Sequence, residues 1–282
     1  MSENSTYPPY RLVSRAANAA YRDSDQTRIV RISDVEIGGT KPVVIAGPCA
    51  VESREQTLEI ARAVQAVGAD MLRGGAYKPR TSPYDFQGLG EKGLEILAEA
   101  RAETGLPIVT EVMDPRLVEQ VGAYADMLQI GSRNMQNYPL LTEVGRFGKP
   151  VLLKRGMAAT LTEWLCAAEY IAKEGNLDIV LCERGVRTAL SGQYDRFTLD
   201  LNVITPVKQH TFLPIIVDPS HSTGDREMVP FAAKAGISCG AHGLIIEVIA
   251  EHTDPSTIQC DGAQGIRPSP LKRILADIRE KD

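Results

Sequence analysis

The chain has no apolar run long enough to cross a bilayer, and its opening MSENSTYPPYR lacks the hydrophobic core of a secretory signal. Both absences point to a protein that works in water. Cysteine is sparse. Cys49, Cys166, Cys182, Cys239 and Cys260 are scattered, odd in number and form no CxxC pair. That is no disulfide framework, and a reducing, cytoplasmic setting is expected. Positive charge is not in surplus. The formal net charge of −5 over 282 residues argues against a nucleic-acid partner and against a membrane surface. No GxGxxG follows the first apolar strand, so a dinucleotide-binding fold has little support.

What is present is a rhythm. Residues 1–41 read as an N-terminal arm, polar and peripheral up to Asp25. Arg28–Val35 alternates as a strand would, and Glu36–Lys41, with Gly38-Gly39, reads as the turn of a possible β-hairpin outside the main fold. From Pro42 on, eight apolar segments recur: Val43–Ala46, Ala69–Leu72, Pro107–Thr110, Met127–Ile130, Val151–Leu153, Asp178–Leu181, Pro214–Val217 and Gly243–Ile246. Segments of helical period lie between them, such as Ile60, Ala63, Val64 and Val67. Helix starts are signalled by the capping boxes Ser53/Gln56 and Thr160/Glu163, and by Asp114-Pro115 and Ser269-Pro270. The stretch from Arg187 to Val207 is the least patterned. Eight apolar strands, each followed by a helix, mean a parallel sheet buried on both faces. The expected fold is α/β, a (β/α)8 TIM barrel over residues 42–282, with an open doubly wound sheet as the alternative.

In such a barrel the functional groups collect where strands end. The stretch Met71–Gly90, MLRGGAYKPRTSPYDFQGLG, changes within a few residues from an apolar strand to a loop. That loop holds Arg73, Lys78 and Arg80 beside Gly74, Gly75, Thr81 and Ser82. The glycines let backbone approach a ligand, the prolines stiffen the loop, and the guanidinium fork suits phosphate or carboxylate. Arg133, Lys154 and Arg184, with Arg187 as an outlying member, complete a ring of cations at the same end of their strands. That is more charge than one phosphate requires, although Glu52, Glu111, Glu183 and Asp218 are available to pair with some of it. Cys49, His221, Glu247 and Asp261 form a second grouping. One thiolate, one imidazole and two carboxylates suit a divalent transition metal. Each also has an ordinary reading: a small buried hydrophobe, a satisfied core histidine, a salt-bridge partner. Lys154 raises a rival chemistry, a Schiff base with a carbonyl substrate.

The motifs GPCAVES, LRGGAYKPRTSPYDFQGLGEKGL, QIGSRNMQN, LLKRG, LCERGVRT, VDPSHSTG and GAHGLIIEV together resemble the 3-deoxy-D-arabino-heptulosonate-7-phosphate synthase family, in its short microbial branch. The resemblance runs from about Pro9 to near the C-terminus and implies a TIM barrel. It implies condensation of phosphoenolpyruvate with erythrose 4-phosphate, the first step of the shikimate pathway to chorismate and the aromatic amino acids. It also implies one divalent metal ion (Mn, Fe, Co or Zn) on Cys49, His221, Glu247 and Asp261. Phosphoenolpyruvate would be held by Arg73, Lys78, Ser132, Arg133, Lys154 and Arg184, and erythrose 4-phosphate by Arg80, Thr81 and Ser82. Lys78, Glu111, Cys49 and His221 would be the catalytic groups, with Glu111 holding water near the reacting carbons. The identity of the water-activating base stays open. A homodimer or homotetramer is implied.

Three rivals stand beside this reading. The sister enzyme 3-deoxy-D-manno-octulosonate-8-phosphate synthase uses arabinose 5-phosphate, but its second-strand loop typically carries an Asn-Arg-Ser-Ser motif where this chain has Lys78-Pro79-Arg80-Thr81-Ser82. The others are a Schiff-base aldolase and a non-catalytic barrel subunit. Residues 1–41 are too few for the ferredoxin-like or chorismate mutase domain of some relatives. Feedback inhibition by the isolated chain is therefore not expected, while a separate regulatory partner such as a chorismate mutase remains open. Titration with Phe, Tyr and Trp checks this; strong inhibition would overturn it.

Overall fold

Eight short parallel strands close on themselves: β3 (Val43–Gly47), β4 (Met71–Arg73), β5 (Ile108–Glu111), β6 (Met127–Ile130), β7 (Val151–Lys154), β8 (Ile179–Glu183), β9 (Ile215–Val217) and β10 (Gly243–Glu247). The computed structural model describes residues 8–279. β10 pairs with both β3 and β9, which completes the cylinder and leaves it no open edge. All eight expected strands are present. Most extend one or two residues past the apolar runs, so β4, β5, β7, β8 and β10 end on Arg73, Glu111, Lys154, Glu183 and Glu247. The backbone ladder continues regardless of side-chain polarity, and the barrel mouth can accept those charges.

The helices α1 (Arg54–Ala66), α2 (Glu91–Thr104), α3 (Val118–Tyr124), α4 (Tyr138–Phe147), α5 (Leu161–Lys173), α6 (Ile204–His210) and α8 (Val229–Ser238) link the strands, and α9 (Pro268–Arg279) follows the last of them. A short α7 (Pro219–Thr223) follows β9 directly. Thr160 and Glu163 make both bonds of a capping box at α5. Ser53 caps α1 by accepting from Gln56 N, but the Gln56 side chain accepts from Glu52 N instead of the cap's own amide. Asp114 caps a 3-10 turn ahead of α3. α9 begins at Pro268, one residue before the expected Ser269-Pro270 start, because two prolines fit a first turn whose amides have no helical partner. The weakly patterned stretch forms a loop closed by a bridge between Val186 and Thr198, then a 3-10 turn and α6.

Two expectations for the N-terminal region are corrected. The hairpin exists, as β1 (Val30–Ile32) and β2 (Val35–Ile37), but its turn is Ser33-Asp34 with Ser33 at φ 54, and not Gly38-Gly39. Nor is it outside the fold. Val30, Ile32 and Ile37 are buried against Val43, Ile45, Met71, Met127, Leu152 and Ile216 inside the barrel, so the hairpin plugs the end where the strands start. The preceding residues are anchored. Tyr10 and Val13 are buried, Tyr21 stacks on Phe212 at 4.4 Å, and the Glu169 carboxylate on α5 accepts from the amides of Arg11, Leu12 and Val13 at 2.9, 2.8 and 3.1 Å. Buried Arg15 donates to the carbonyls of Lys208, Tyr21 and Thr211. Composition alone hid this, because most of the anchoring partners, the Glu169 carboxylate and the carbonyls of Lys208 and Thr211, lie more than 150 residues away. Among the described residues no helix is long and apolar enough to cross a membrane.

Replacing Glu169 with Ala removes one acceptor from three amides. The expected loss is about 1–2 kcal/mol, seen as a lower unfolding temperature and faster hydrogen exchange at Arg11–Val13. Unchanged exchange at those amides would mean that the Tyr10 and Val13 contacts hold the arm alone.

Candidate active site

Side chains along a strand alternate between the two faces of a sheet. The apolar inward layer contains Ile45, Met71, Val109, Met127, Leu152, Ile216 and Ile245. Two residues further along each strand or its continuation, the same parity gives Gly47, Arg73, Glu111, Gln129, Lys154, Asp218 and Glu247. One step toward the mouth, the interior therefore turns from apolar to charged. There it opens into a cavity of about 280 Å3, lined by Arg73, Lys78, Arg80, Arg133, Lys154 and Arg184 together with Thr81, Glu111, Gln129 and Ser132. Gly131 keeps space open, since a Cβ there would collide with Glu111 Oε1. Arg73 Nε and Glu111 Oε1 are buried without hydrogen-bond partners. Orphaned polar atoms on a cavity wall are what a polar occupant would satisfy.

Cys49 follows β3, His221 lies within α7, Glu247 ends β10, and Asp261 sits in the next loop with φ 53. One donor atom from each falls within 4.8 Å of the others. Asp218 organises this corner. It caps α7 by accepting from His221 N at 2.9 Å, and its Oδ2 accepts from His221 Nδ1 at 2.7 Å and from Lys154 Nζ at 2.6 Å. With Nδ1–H given to Asp218, the Nε2 lone pair is free to face Glu247 Oε1, 3.1 Å away. Burial pushes His221 down toward the neutral imidazole, the ligating form. Burial works against ionisation of Asp261, yet His221, Arg196 and Lys78 outweigh it and hold that carboxyl at about 2. Glu247 is likewise kept low against burial by His221 and Arg73. The donor set fits a divalent transition metal, with Cys49, His221, Glu247 and Asp261 as the residues to hold it.

Several neighbours were not expected. Cys260 Sγ lies 3.0 Å from Cys49 Sγ, and Arg80 Nη1 lies 2.8 Å from Cys260 Sγ. Its position beside Asp261 was the only signal available in the sequence. Lys78 Nζ reaches Cys49 Sγ and the Cys49 carbonyl, both at 3.2 Å. Burial opposes the Lys78 charge, but at the high pH where Lys78 titrates the Cys49 and Cys260 sulfurs more than offset it, so Lys78 sits above the ordinary lysine value. The missing side chain at Gly75 makes room for the Lys78 stem, which a Cβ would strike. Gln129 bonds the Glu111 carboxylate at 3.4 Å, and Arg196 and Phe197 join the cavity wall from the weakly patterned loop.

Some candidates lie apart from the cavity. The Ser82 hydroxyl accepts from Tyr84 N within its own loop. Arg187 is exposed. Glu183 points to the outer face, where it pairs with Arg155 at 3.0 Å and accepts from Gly185 N. Glu52 accepts from the amides of Gln259 and Cys260 and so braces the Asp261 loop.

Comparison with known proteins follows this geometry. The family model described as the DAHP synthetase I family matches residues 19–282. A phospho-2-dehydro-3-deoxyheptonate aldolase from Thermotoga maritima is 45% identical over 272 residues, covering 96% of this chain and 77% of its own length. A 2-dehydro-3-deoxyphosphooctonate aldolase from Syntrophotalea carbinolica is 33% identical, covering 90% and 95%. A crystal structure of the Thermotoga aldolase superposes with a TM-score of 0.90 at 44% identity, over 98% of this chain and 77% of that one. A truncated form of the 3-deoxy-D-arabino-heptulosonate 7-phosphate synthase from Thermotoga gives 0.85 at 41%, over 96% and 95%.

The Cys49 thiol is raised well above its ordinary value, first by its hydrogen bond with Cys260 and then by burial and Glu247, so the metal-free protein carries that proton at neutral pH. A ligating thiolate must release it, so metal affinity should rise with pH, roughly tenfold per unit between about pH 6 and 8. Burial lowers His221 toward the neutral form, so the thiol is the main source of released protons. Calorimetric titration in buffers of different ionisation heat should count a proton released on metal binding. Because Cys260 is lowered beside Cys49 and can take up its proton, the count is repeated in Cys260→Ser; a count of zero there would remove Cys49 from the ligand set.

Proposed function

Because the chain belongs to the DAHP synthetase I family, we propose that it joins phosphoenolpyruvate to erythrose 4-phosphate, with addition of water. The products are 3-deoxy-D-arabino-heptulosonate 7-phosphate and inorganic phosphate. The observation that carries this reading is the pairing of a four-donor cluster with an adjoining cavity walled by seven Lys and Arg side chains. Two phosphorylated substrates, one also a carboxylate, need that much positive charge, and a single phosphate does not.

Arg73, Lys78, Ser132, Arg133, Lys154 and Arg184 bind the phosphate and carboxylate of phosphoenolpyruvate. Arg80 and Thr81 hold the phosphate of erythrose 4-phosphate, with Arg133 Nη2 3.5 Å from the Thr81 hydroxyl where the two regions meet. Ser82 belongs to the same loop and adds a hydroxyl donor to that phosphate. C3 of phosphoenolpyruvate attacks the aldehyde carbon, and Lys78 Nζ donates its proton to the oxygen that becomes an alkoxide. Water adds at C2. The resulting phosphohemiketal collapses with C–O cleavage and loss of phosphate. Glu111 Oε1, buried and unpartnered, is suited to hold that water. A divalent metal on Cys49, His221, Glu247 and Asp261 supplies Lewis acidity to the carbonyl. Fixing both substrates for attack is worth several kcal/mol of barrier, about 7–11 in the best-oriented pairs.

The Schiff-base alternative loses ground because Lys154 Nζ is buried and paired with the Asp218 carboxylate at 2.6 Å, which occupies the atom that would attack a carbonyl. The octulosonate alternative has a specific observation in its favour, the 33% identity to the Syntrophotalea enzyme. Lys78-Pro79-Arg80-Thr81-Ser82 and the higher identity to the Thermotoga enzyme weigh against it. The reading carries with it a cytoplasmic setting and a homodimer or homotetramer.

Phosphate release from phosphoenolpyruvate tests the assignment, with erythrose 4-phosphate and arabinose 5-phosphate supplied separately. Activity is expected with the four-carbon sugar only, lost to chelator and restored by manganese. Turnover of arabinose 5-phosphate instead would reject it, and chelator-insensitive turnover would return the four donors to structural roles. Lys78→Met should lower kcat about 100- to 1,000-fold, with a smaller change in KM for phosphoenolpyruvate. A rise in KM alone would make Lys78 a binding group and not a proton donor.

A further inference from the structure

A carboxylate ligand has two oxygens and a rotatable bond, so its aim depends on what holds the oxygen that does not face the metal. For Glu247, Oε1 faces His221 Nε2 and Arg73 Nη1, each at 3.1 Å, while Oε2 accepts from Gln264 Nε2 at 2.6 Å. For Asp261, Oδ2 is the atom nearer Cys49 Sγ, at 3.6 Å, while Oδ1 pairs with Arg196 Nη1 at 3.1 Å. The two outer partners are themselves joined, since Gln264 Oε1 accepts from Arg196 Nη1 at 3.1 Å. Gln264 is 2% exposed, with its amide donor committed to one ligand and its carbonyl to the residue that holds the other. A flipped amide would set a carbonyl against the Glu247 carboxylate, so only this orientation is stable.

The backbone builds the arrangement. Asp261 adopts φ 53, and Gln264 N bonds back to Asp261 O at 3.3 Å, so one tight turn presents both side chains. Arg196 comes from the loop after β8, two strands round the barrel from β10, where its amide bonds Thr223 O at the end of α7 at 3.0 Å. The Val186–Thr198 bridge closes the loop that carries it. A second cavity of about 450 Å3 lies on this side, and its walls include Arg196, Asp261 and Gln264. Arg196 and Asp261 also border the active-site cavity, so they form part of the partition between the two spaces.

We propose that Gln264 and Arg196 are a positioning pair that aims Glu247 and Asp261 at one metal and ties loop 186–198 to the metal centre. The inference rests on the metal reading above. The pair acts through the two carboxylates and takes no part in bond making.

Cobalt(II) binding to the metal-free protein tests it, followed by thiolate-to-cobalt absorption in competition with a chromogenic chelator. Gln264→Leu and Arg196→Met should each weaken cobalt binding about 10- to 100-fold and alter the d–d spectrum, while unfolding of the metal-free protein changes little. Because the two residues act as a unit, the double variant should be no weaker than about the worse single variant. Arg196→Lys keeps the charge, sits in a half-exposed place that tolerates change, and should recover part of the affinity. It also carries the test should Gln264→Leu fail to fold. Cobalt affinity and spectrum unchanged in Arg196→Met would overturn the proposal while leaving the metal site intact. Wild-type protein that binds cobalt without a thiolate band would overturn the metal reading, and this inference with it.

Discussion

The two-residue alternation of a closed parallel barrel constrains everything at this site. Once the inward parity is fixed by Ile45, Met71, Val109, Met127, Leu152, Ile216 and Ile245, the next inward residue on each strand has no freedom about where it points. Arg73, Glu111, Gln129, Lys154, Asp218 and Glu247 converge because they are two residues further on. The hairpin β1–β2 seals the opposite end with apolar side chains, so polar groups and ligand share a single mouth. A one-residue slip would turn these charges into the helix layer, where burial without partners costs several kcal/mol each.

Concentrating charge there is possible because the charges are tied together. Asp218 is fully buried and serves Lys154, His221 and the first turn of α7 at once. Burial opposes its ionisation, yet His221 and Lys154 hold it well below the usual carboxylate range. A buried ion pair of this kind adds little net stability, but losing one partner strands the other at a cost of about 3–5 kcal/mol. Arg73–Glu247 and Arg155–Glu183 follow the same rule on the inner and outer faces. Arg80 and Arg133 are less buried than these pairs and reach the cavity from its rim.

The weakly patterned stretch between Arg187 and Val207 was the hardest to read, and it contributes Arg196 and Phe197 to the wall. Its order comes from distant partners: the Thr223 carbonyl, the Asp261 carboxylate and the Gln264 amide. No periodicity encodes such bonds. The N-terminal arm is ordered in the same way, since Glu169 and the Lys208 carbonyl hold it from afar. Cys260 and Cys49 looked like scattered thiols because 211 residues separate them in sequence.

The barrel is legible in the chain itself, because eight apolar runs separated by helical periods permit few other closures. The sequence also determined which strand ends carry chemistry, because polar residues that directly follow buried strands have only the mouth to go to. Its long motifs named the family. Only the tertiary structure decided partnership: that Lys154 belongs to Asp218, that Glu183 faces outward to Arg155, that Cys260 stands beside Cys49, and that Gln264 joins two ligands through Arg196. Local pattern fixes the direction of a side chain. Which group it meets depends on closure of the barrel and the path of its loops, and those are set by contacts spread over the whole chain.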